Sequence, residues 1–130
     1  MKKKIKRFER LATIRKKDIS REINNSNLVQ NEISQNESLI EQINTIMKSS
    51  NNNSSNKIIN SGLFKNNAQL LTTLQSQKDI ASNRNKYLRS EKEIIRKKII
   101  QNNFKKIKAE KKATDYKRHY ISELENKNYK

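Results

Sequence analysis

Glycine and proline are almost absent from this chain, which contains no proline and a single glycine, Gly62, among its 130 residues. Tight hairpin turns in β-sheets depend on glycine and on other residues that suit a fixed turn geometry. Proline would also interrupt an α-helix, because it lacks an amide donor and its ring clashes with the preceding turn. The sequence therefore predicts long, unbroken helices and disfavours a many-stranded sheet.

A seven-residue repeat of apolar side chains supports this prediction. Rows with this spacing are typical of helices that pack as a coiled coil. A second row in the N-terminal half, which begins at Phe8, is weaker and has only Val29 and Ile43 as its other apolar members. The strong row of the N-terminal half is Ile5, Ala12, Ile19, Ser26, Ile33, Ile40 and Met47. The comparable row of the C-terminal half is Leu74, Ala81, Leu88, Ile95, Asn102, Ala109 and Tyr116.

The two halves are separated by a cluster of serine and asparagine, whose side chains compete for backbone hydrogen bonds and favour turns. We therefore predict a helix over 5–48, a polar loop over 49–62 and a longer helix over 63–126. Two long helices joined by one loop are expected to fold back on each other. The predicted fold is all-α, a single antiparallel coiled-coil hairpin over residues 1–130.

Pairing about the centre of this loop predicts contacts between residues whose numbers add to about 111. In that register Phe8 lies near Phe104, and Ile5 lies near Ile107. The alternative is two separate helices that dock on a partner or on a second copy, because two helices bury little apolar surface. In the hairpin, the apolar stripe of the second helix is expected to include residues from rows next to that of Leu74: Leu70, Ile80, Tyr87, Ile94, Ile99, Ile100, Phe104 and Ile107.

The greater length of the second helix predicts an overhang beyond the first. Apolar residues recur there at spacings of three and four, which places them on one face of a helix. With no partner on the first helix, this face is expected to bind another molecule, and a frayed helix end is the alternative. Its members are Ala109, Ala113, Tyr116, Tyr120 and Leu124.

Positive charge is concentrated in two segments. The chain has 30 Lys and Arg against 13 Asp and Glu, a formal net charge of +17. Nine of the basic residues lie in 1–20 and fourteen lie in 82–118. An antiparallel hairpin brings both segments to its open end, where a field of this sign attracts anionic partners. A charged face that contacts only solvent is the alternative.

The sequence shows no arrangement of residues that is typical of a catalytic or metal site. With no cysteine and a single histidine, His119, a zinc site of the Cys/His type cannot form. The carboxylates of Glu91 and Glu93 are two residues apart and point to different helix faces. No apolar run has the length of a signal peptide core or a membrane span. We expect a non-enzymatic, cytoplasmic protein with no cofactor, no metal, no small-molecule substrate and no membrane insertion.

The start of the chain resembles a known family. The segment from Lys6 to Lys17 reads Lys-Arg-Phe-Glu-Arg-Leu-Ala-Thr-Ile-Arg-Lys-Lys and carries a Phe8-x-x-Leu11 step followed by Ile14-Arg15-Lys16-Lys17. This opening is similar to that of the FliJ family, the central-stalk proteins of the flagellar type III export ATPase, whose injectisome relatives are called YscO. The remainder of the chain resembles the family in architecture and length.

The resemblance implies a stalk whose open end sits in the pore of a hexameric export ATPase and whose other region contacts the export gate. It would thereby couple ATP hydrolysis to protein transport during flagellum biogenesis, as a peripheral component at the inner-membrane export apparatus. The gate contacts would come from the tip, at Ile43, Met47, Leu63 and Phe64. The pore contacts would come from Arg7, Phe8, Arg10, Leu11, Arg15, Tyr116 and Tyr120.

Two other functions remain open from the residues themselves. The excess of Lys and Arg and the isoelectric point near 10.2 also fit a non-specific nucleic-acid-binding or ribosome-associated coiled coil. Few aromatic residues are available to stack on bases, which disfavours that function. The third possibility is a helical scaffold or adaptor of another kind.

Overall fold

The computed structural model describes the backbone of residues 2–54 and 61–128 and the side chains of 2–49 and 65–128. Two helices, α1 over Lys2–Ser54 and α2 over Ser61–Asn128, account for all of this backbone. They pack against each other as an antiparallel hairpin. The predicted all-α fold with a longer second helix is confirmed, since α1 has 53 residues and α2 has 68.

Both helices extend into the segment that the sequence assigned to the loop. α1 continues through 49–54, and α2 already includes 61 and 62. The predicted loop bounds of 49–62 are therefore corrected at both sides. Serine and asparagine disfavour a helix by only about 0.5 kcal/mol per residue, and extending an existing helix adds one hydrogen bond per residue.

Contacts within the hairpin divide into two compact units, which we describe separately. The terminal unit comprises Met1–Asn27 and Glu93–Lys130, and the central unit comprises Leu28–Lys92. Each unit contains one segment of α1 and one segment of α2. Both chain ends therefore belong to the same unit.

The heptad rows predict which faces of the helices are covered. In α1, every described residue in the rows of Ile5 and Phe8 is buried or half-buried. The row of Leu74 in α2 behaves in the same way. The second covered row of α2 was not recognised in the sequence because half of its members are polar: Leu71, Lys78, Asn85, Lys92, Ile99, Lys106, Ala113 and Tyr120.

The additional apolar rows assigned to the seam of α2 lie outside it. Of that set only Ile99 is half-buried, and Phe104 is 69% exposed. These positions face away from α1 because they lie outside the face of α2 that the two covered rows form. The correction applies to Leu70, Ile80, Tyr87, Ile94, Ile100, Phe104 and Ile107, all of which are exposed.

The register between the helices also differs from the predicted one. In the central unit, Asn36 contacts Asn85, and these numbers add to 121. In the terminal unit, Phe8 stacks on Tyr116, and these numbers add to 124. The expected pairing of Phe8 with Phe104 is therefore wrong. Apolar rows that repeat every seven residues can be matched in more than one alignment, so the repeat alone does not select the observed register.

The central unit contains a polar contact at its centre. Asn85 is only 3% exposed. Its side-chain nitrogen donates to the carbonyl oxygen of Ile33 at 3.2 Å, and its oxygen accepts from the Asn36 amide at 2.9 Å. Ion pairs of Arg84 with Glu32 and of Arg89 with Glu37 flank this contact.

Candidate basic interface in the terminal unit

The terminal unit carries most of the charge of the molecule. Its two segments contain 22 Lys and Arg against 8 Asp and Glu, a net charge of +14. The central unit contains 8 against 5, a net charge of +3. The strongest positive field of the protein therefore belongs to the unit that holds both chain ends.

An aromatic pair joins the two helices of this unit. The rings of Phe8 and Tyr116 lie 5.5 Å apart between centroids and are inclined by 11°. Both residues occupy covered heptad rows and are half-buried. Stacked rings contribute about 0.5–1.5 kcal/mol beyond the burial of their area, so this pair helps to hold the two helices together.

Lysine side chains cover the aromatic rings. The Lys4 ammonium lies 5.6 Å from the centroid of Tyr116, and that of Lys2 lies 5.8 Å from the centroid of Tyr120. The Lys112 ammonium lies 5.4 Å from the centroid of Phe8. A cation over a ring face at an exposed site contributes about 0.5–1 kcal/mol. Aromatic rings therefore hold part of the positive charge close together despite its self-repulsion.

These contacts correct the predicted unpartnered face of α2. Ala109 and Ala113 are buried, and Tyr116 and Tyr120 are half-buried next to α1. Only Leu124 of that set is exposed. The face has a partner because the register brings the start of α1 beside this part of α2.

A shallow apolar cleft of about 180 Å³ opens between the two helices. Its floor is formed by Phe8, Leu11 and Ala109, and the small side chain of Ala109 leaves it open. Among the described residues, those that line the cleft include no carboxylate. Its rim consists of four cations, Arg15, Lys105, Lys108 and Lys112.

Arg15 is held in place by polar groups on both helices. Its guanidinium donates to the side-chain oxygen of Asn102 on α2 at 3.3 Å and lies 3.8 Å from the Asp18 carboxylate. Asp18 also pairs with Arg21 at 3.0 Å. In contrast, Lys105 and Lys108 form no ion pair within the described ranges, so their ammonium groups are available to an anionic partner.

The structure brings several predicted site residues together. Phe8, Leu11 and Arg15 line the cleft. Tyr116 and Tyr120 contact the start of α1 through Phe8, Lys4 and Lys2. The remaining two predicted residues of this surface, Arg7 and Arg10, are exposed on α1.

The predicted tip residues differ in their placement. Ile43 is 2% exposed, so its side chain packs inside the hairpin and offers no surface to a partner. Met47 is half-buried. Leu63 and Phe64 lie outside the residues whose side chains the structure describes.

Three lysines of the cleft were not singled out in the sequence. By composition alone, Lys105, Lys108 and Lys112 are not distinguished from the other cations of the basic segment 82–118. Their spacing of three and four residues places them on one side of α2, which is a usable signal. The assumed register placed this part of α2 beside the wrong residues of α1, so the cleft was not foreseen.

Other polar chemistry in the described residues is local. The hydrogen bond from Arg96 lowers the pKa of Glu93, and the same bond raises the pKa of Arg96. His119 lies 3.3 Å from the carboxylate of Glu123, one helical turn away.

Within the described ranges, no group of three or more His, Cys, Asp or Glu could hold a metal ion. None of the helical residues described forms a stretch long and apolar enough to cross a membrane.

No protein-family model, curated protein or solved structure matches this chain. The terminal unit itself combines an apolar cleft, a cationic rim and a net charge of +14. An arrangement of this kind suits the binding of an anionic macromolecule.

Proposed function

We propose that this chain is a non-enzymatic coiled-coil stalk that couples a hexameric type III export ATPase to the export gate, as in the FliJ and YscO family that its start resembles. The observation that carries the proposal is the cleft of the terminal unit. Its lining includes Phe8, Leu11 and Arg15, three residues of the segment that bears the resemblance. The two-helix hairpin is the architecture that such a stalk requires.

In this function the terminal unit contacts the pore of the ATPase. Contacts dominated by long-range charge speed association and stay weak individually, which suits a shaft that must not lock onto a single subunit of a ring. The exposed Arg7 and Arg10 extend the basic surface beyond the cleft. The protein would act in the cytoplasm, at the face of the inner-membrane export apparatus, with Met47 near the gate-binding region.

The test is direct binding between the purified full-length chain and the purified export ATPase of the same organism. The charge-reversal variant Arg7→Glu/Arg10→Glu alters two exposed residues of the terminal unit and leaves its apolar contacts intact. We expect it to weaken binding at least about tenfold, because like charge then replaces opposite charge at the interface.

The matched control is Lys48→Glu/Lys86→Glu, which makes the same change in net charge at two exposed positions of the central unit. It should bind the ATPase nearly as well as the unmodified chain. Equal loss in both variants would show that only the total charge matters, and absence of binding by the unmodified chain would exclude the stalk function.

The net charge of +14 on the terminal unit also favours a second candidate, a basic coiled coil that binds nucleic acid without sequence preference. Such binding weakens steeply with salt, because each phosphate contact releases condensed counterions. Titration of a duplex oligonucleotide at several salt concentrations measures this slope. Tight, salt-dependent binding together with no affinity for the ATPase would replace the first candidate by the second.

A further inference from the structure

The cleft of the terminal unit combines two properties that a single ligand must satisfy, an apolar floor and a cationic rim. We propose that it binds a short acidic segment of a protein partner, with one large apolar side chain on the floor and carboxylates paired with the rim. This inference rests on the proposed function, because it specifies the chemistry that the terminal unit recognises in its partner.

The floor has room for one large side chain. Leu11 is 38% exposed although it lies beside the covered seam, so part of its surface is open to a ligand. The cleft measures about 180 Å³. An apolar cavity of about 150 Å³ is large enough to bind benzene. A leucine or phenylalanine side chain of a partner would therefore bury the apolar floor and exclude water from it.

The rim is arranged to pair with several carboxylates at once. Lys105, Lys108 and Lys112 follow one another along α2, and their positions span about 10 Å at a rise of 1.5 Å per residue. Arg15 faces them from α1 and is oriented by Asn102. Carboxylates on either side of an apolar residue would reach cations of both helices.

The same geometry disfavours a nucleic acid in this cleft. The Phe8 ring already stacks on Tyr116 and carries the Lys112 ammonium, so it is not free to stack on a base. Phosphates would pair with the rim but would leave the apolar floor uncovered. An acidic peptide with an apolar residue satisfies both parts of the cleft.

The test uses fluorescence anisotropy with the purified full-length chain and a labelled peptide that has a central leucine between pairs of glutamates. Two control peptides replace the leucine by serine or the glutamates by glutamine. We expect the first peptide to bind at least about tenfold more tightly than either control at about 0.15 M salt. Equal binding of the serine peptide would overturn the proposal, since the floor would then contribute nothing.

Variants of the chain test the two parts of the cleft separately. Leu11→Gln should weaken binding of the leucine peptide about tenfold, whereas Ile100→Gln, at another exposed apolar position of the same unit, should not. Lys105→Gln/Lys108→Gln should weaken binding, and Lys97→Gln/Lys98→Gln, with the same loss of charge elsewhere on α2, should have little effect. Equal effects of both lysine pairs would exclude a defined site.

The outcome is separable from that of the proposed function. If the chain binds the peptide but not the export ATPase, the site for an acidic segment is supported and the stalk function is excluded. A chain that binds the ATPase equally well in the presence of saturating peptide keeps the stalk function, and the cleft is then not its binding site. A duplex oligonucleotide that displaces the peptide and is itself weakened by Leu11→Gln would assign the cleft to nucleic acid and overturn the proposal.

Discussion

Asn85 is the buried polar residue of the described core, and its contacts are specific to one alignment of the helices. It donates to the Ile33 carbonyl oxygen and accepts from Asn36. A shift of either helix by one heptad would leave its amide buried without these partners. A buried asparagine in a coiled coil commonly fixes register at some cost in stability. We infer that the Asn36–Asn85 contact selects the observed register.

Replacement of both residues by leucine tests this inference. Asn36→Leu/Asn85→Leu should raise the free energy of unfolding by about 1 kcal/mol or more, because two apolar side chains replace a polar pair that must be desolvated. It should also permit other pairings, seen as a mixture of oligomeric states by light scattering. Thermal unfolding followed by circular dichroism measures the first effect.

The control is Asn31→Leu/Asn83→Leu, which adds the same apolar groups at two exposed positions. It should leave the midpoint of unfolding nearly unchanged. If the buried double variant stays a single species with the oligomeric state of the unmodified chain, the asparagine pair does not select the register.

At the scale of the helices, α1 and α2 share one pattern of burial. In each helix one covered row is mainly apolar and the other is half polar, and isoleucines are exposed outside both rows. The pairing of the helices therefore depends on particular contacts and not on apolar content alone. Phe8 with Tyr116 is such a contact, and Arg15 with Asn102 is another.

A double-mutant cycle distinguishes the observed register from the one predicted by the loop. The substitutions Phe8→Ala and Tyr116→Ala should show a coupling of about 0.5–1.5 kcal/mol, as expected for stacked rings in contact. The cycle of Phe8→Ala with Phe104→Ala should show none, because Phe104 is exposed. Chemical denaturation of the unmodified chain, the three single variants and the two double variants gives both couplings. Coupling of Phe8 to Phe104 instead of Tyr116 would contradict the structure.

At the scale of the whole molecule, a thin apolar core opposes a large net charge. Of the ten buried apolar residues in the described part, four are alanine, which contributes little apolar area: Ala12, Ala81, Ala109 and Ala113. The ion pairs are exposed or half-buried at the surface, and exposed pairs contribute about 0–1 kcal/mol each. Repulsion among the like charges that give the net charge of +17 therefore lowers the free energy of unfolding of the hairpin substantially.

Salt should consequently stabilise the isolated protein. Raising the concentration from about 0.05 to about 0.5 M shortens the screening length and weakens repulsion among the many cations more than it weakens the few ion pairs. We expect the midpoint of thermal unfolding to rise by several degrees, since about 1 kcal/mol corresponds to about 2–8 °C in domains of about 60–250 residues.

The control is Lys97→Gln/Lys98→Gln, which removes two positive charges at exposed positions and should reduce the response to salt. A midpoint that falls with salt would mean that the exposed ion pairs outweigh the repulsion.

Much of the architecture follows from local features of the sequence. The absence of proline, the single Gly62 and the rows of Ile5 and Leu74 determine two long helices and one covered face on each. The antiparallel arrangement and the longer α2 follow from the polar segment between them. The basic segments likewise determine that the unit with both chain ends carries most of the charge. These features can be predicted from the sequence because helix formation depends on local dihedral preferences and on a periodicity that is visible within a single segment of the chain.

Only the tertiary structure decided the register, and with it the cleft. A heptad repeat is unchanged by a slide of seven residues, so the apolar rows match in more than one alignment. The choice rests on contacts between residues far apart in the chain, such as Asn36 with Asn85 and Phe8 with Tyr116. That alignment places Leu11 and Arg15 opposite Lys105, Lys108 and Ala109. The individual residues of this surface are visible in the sequence, but their proximity is a property of the folded pair of helices.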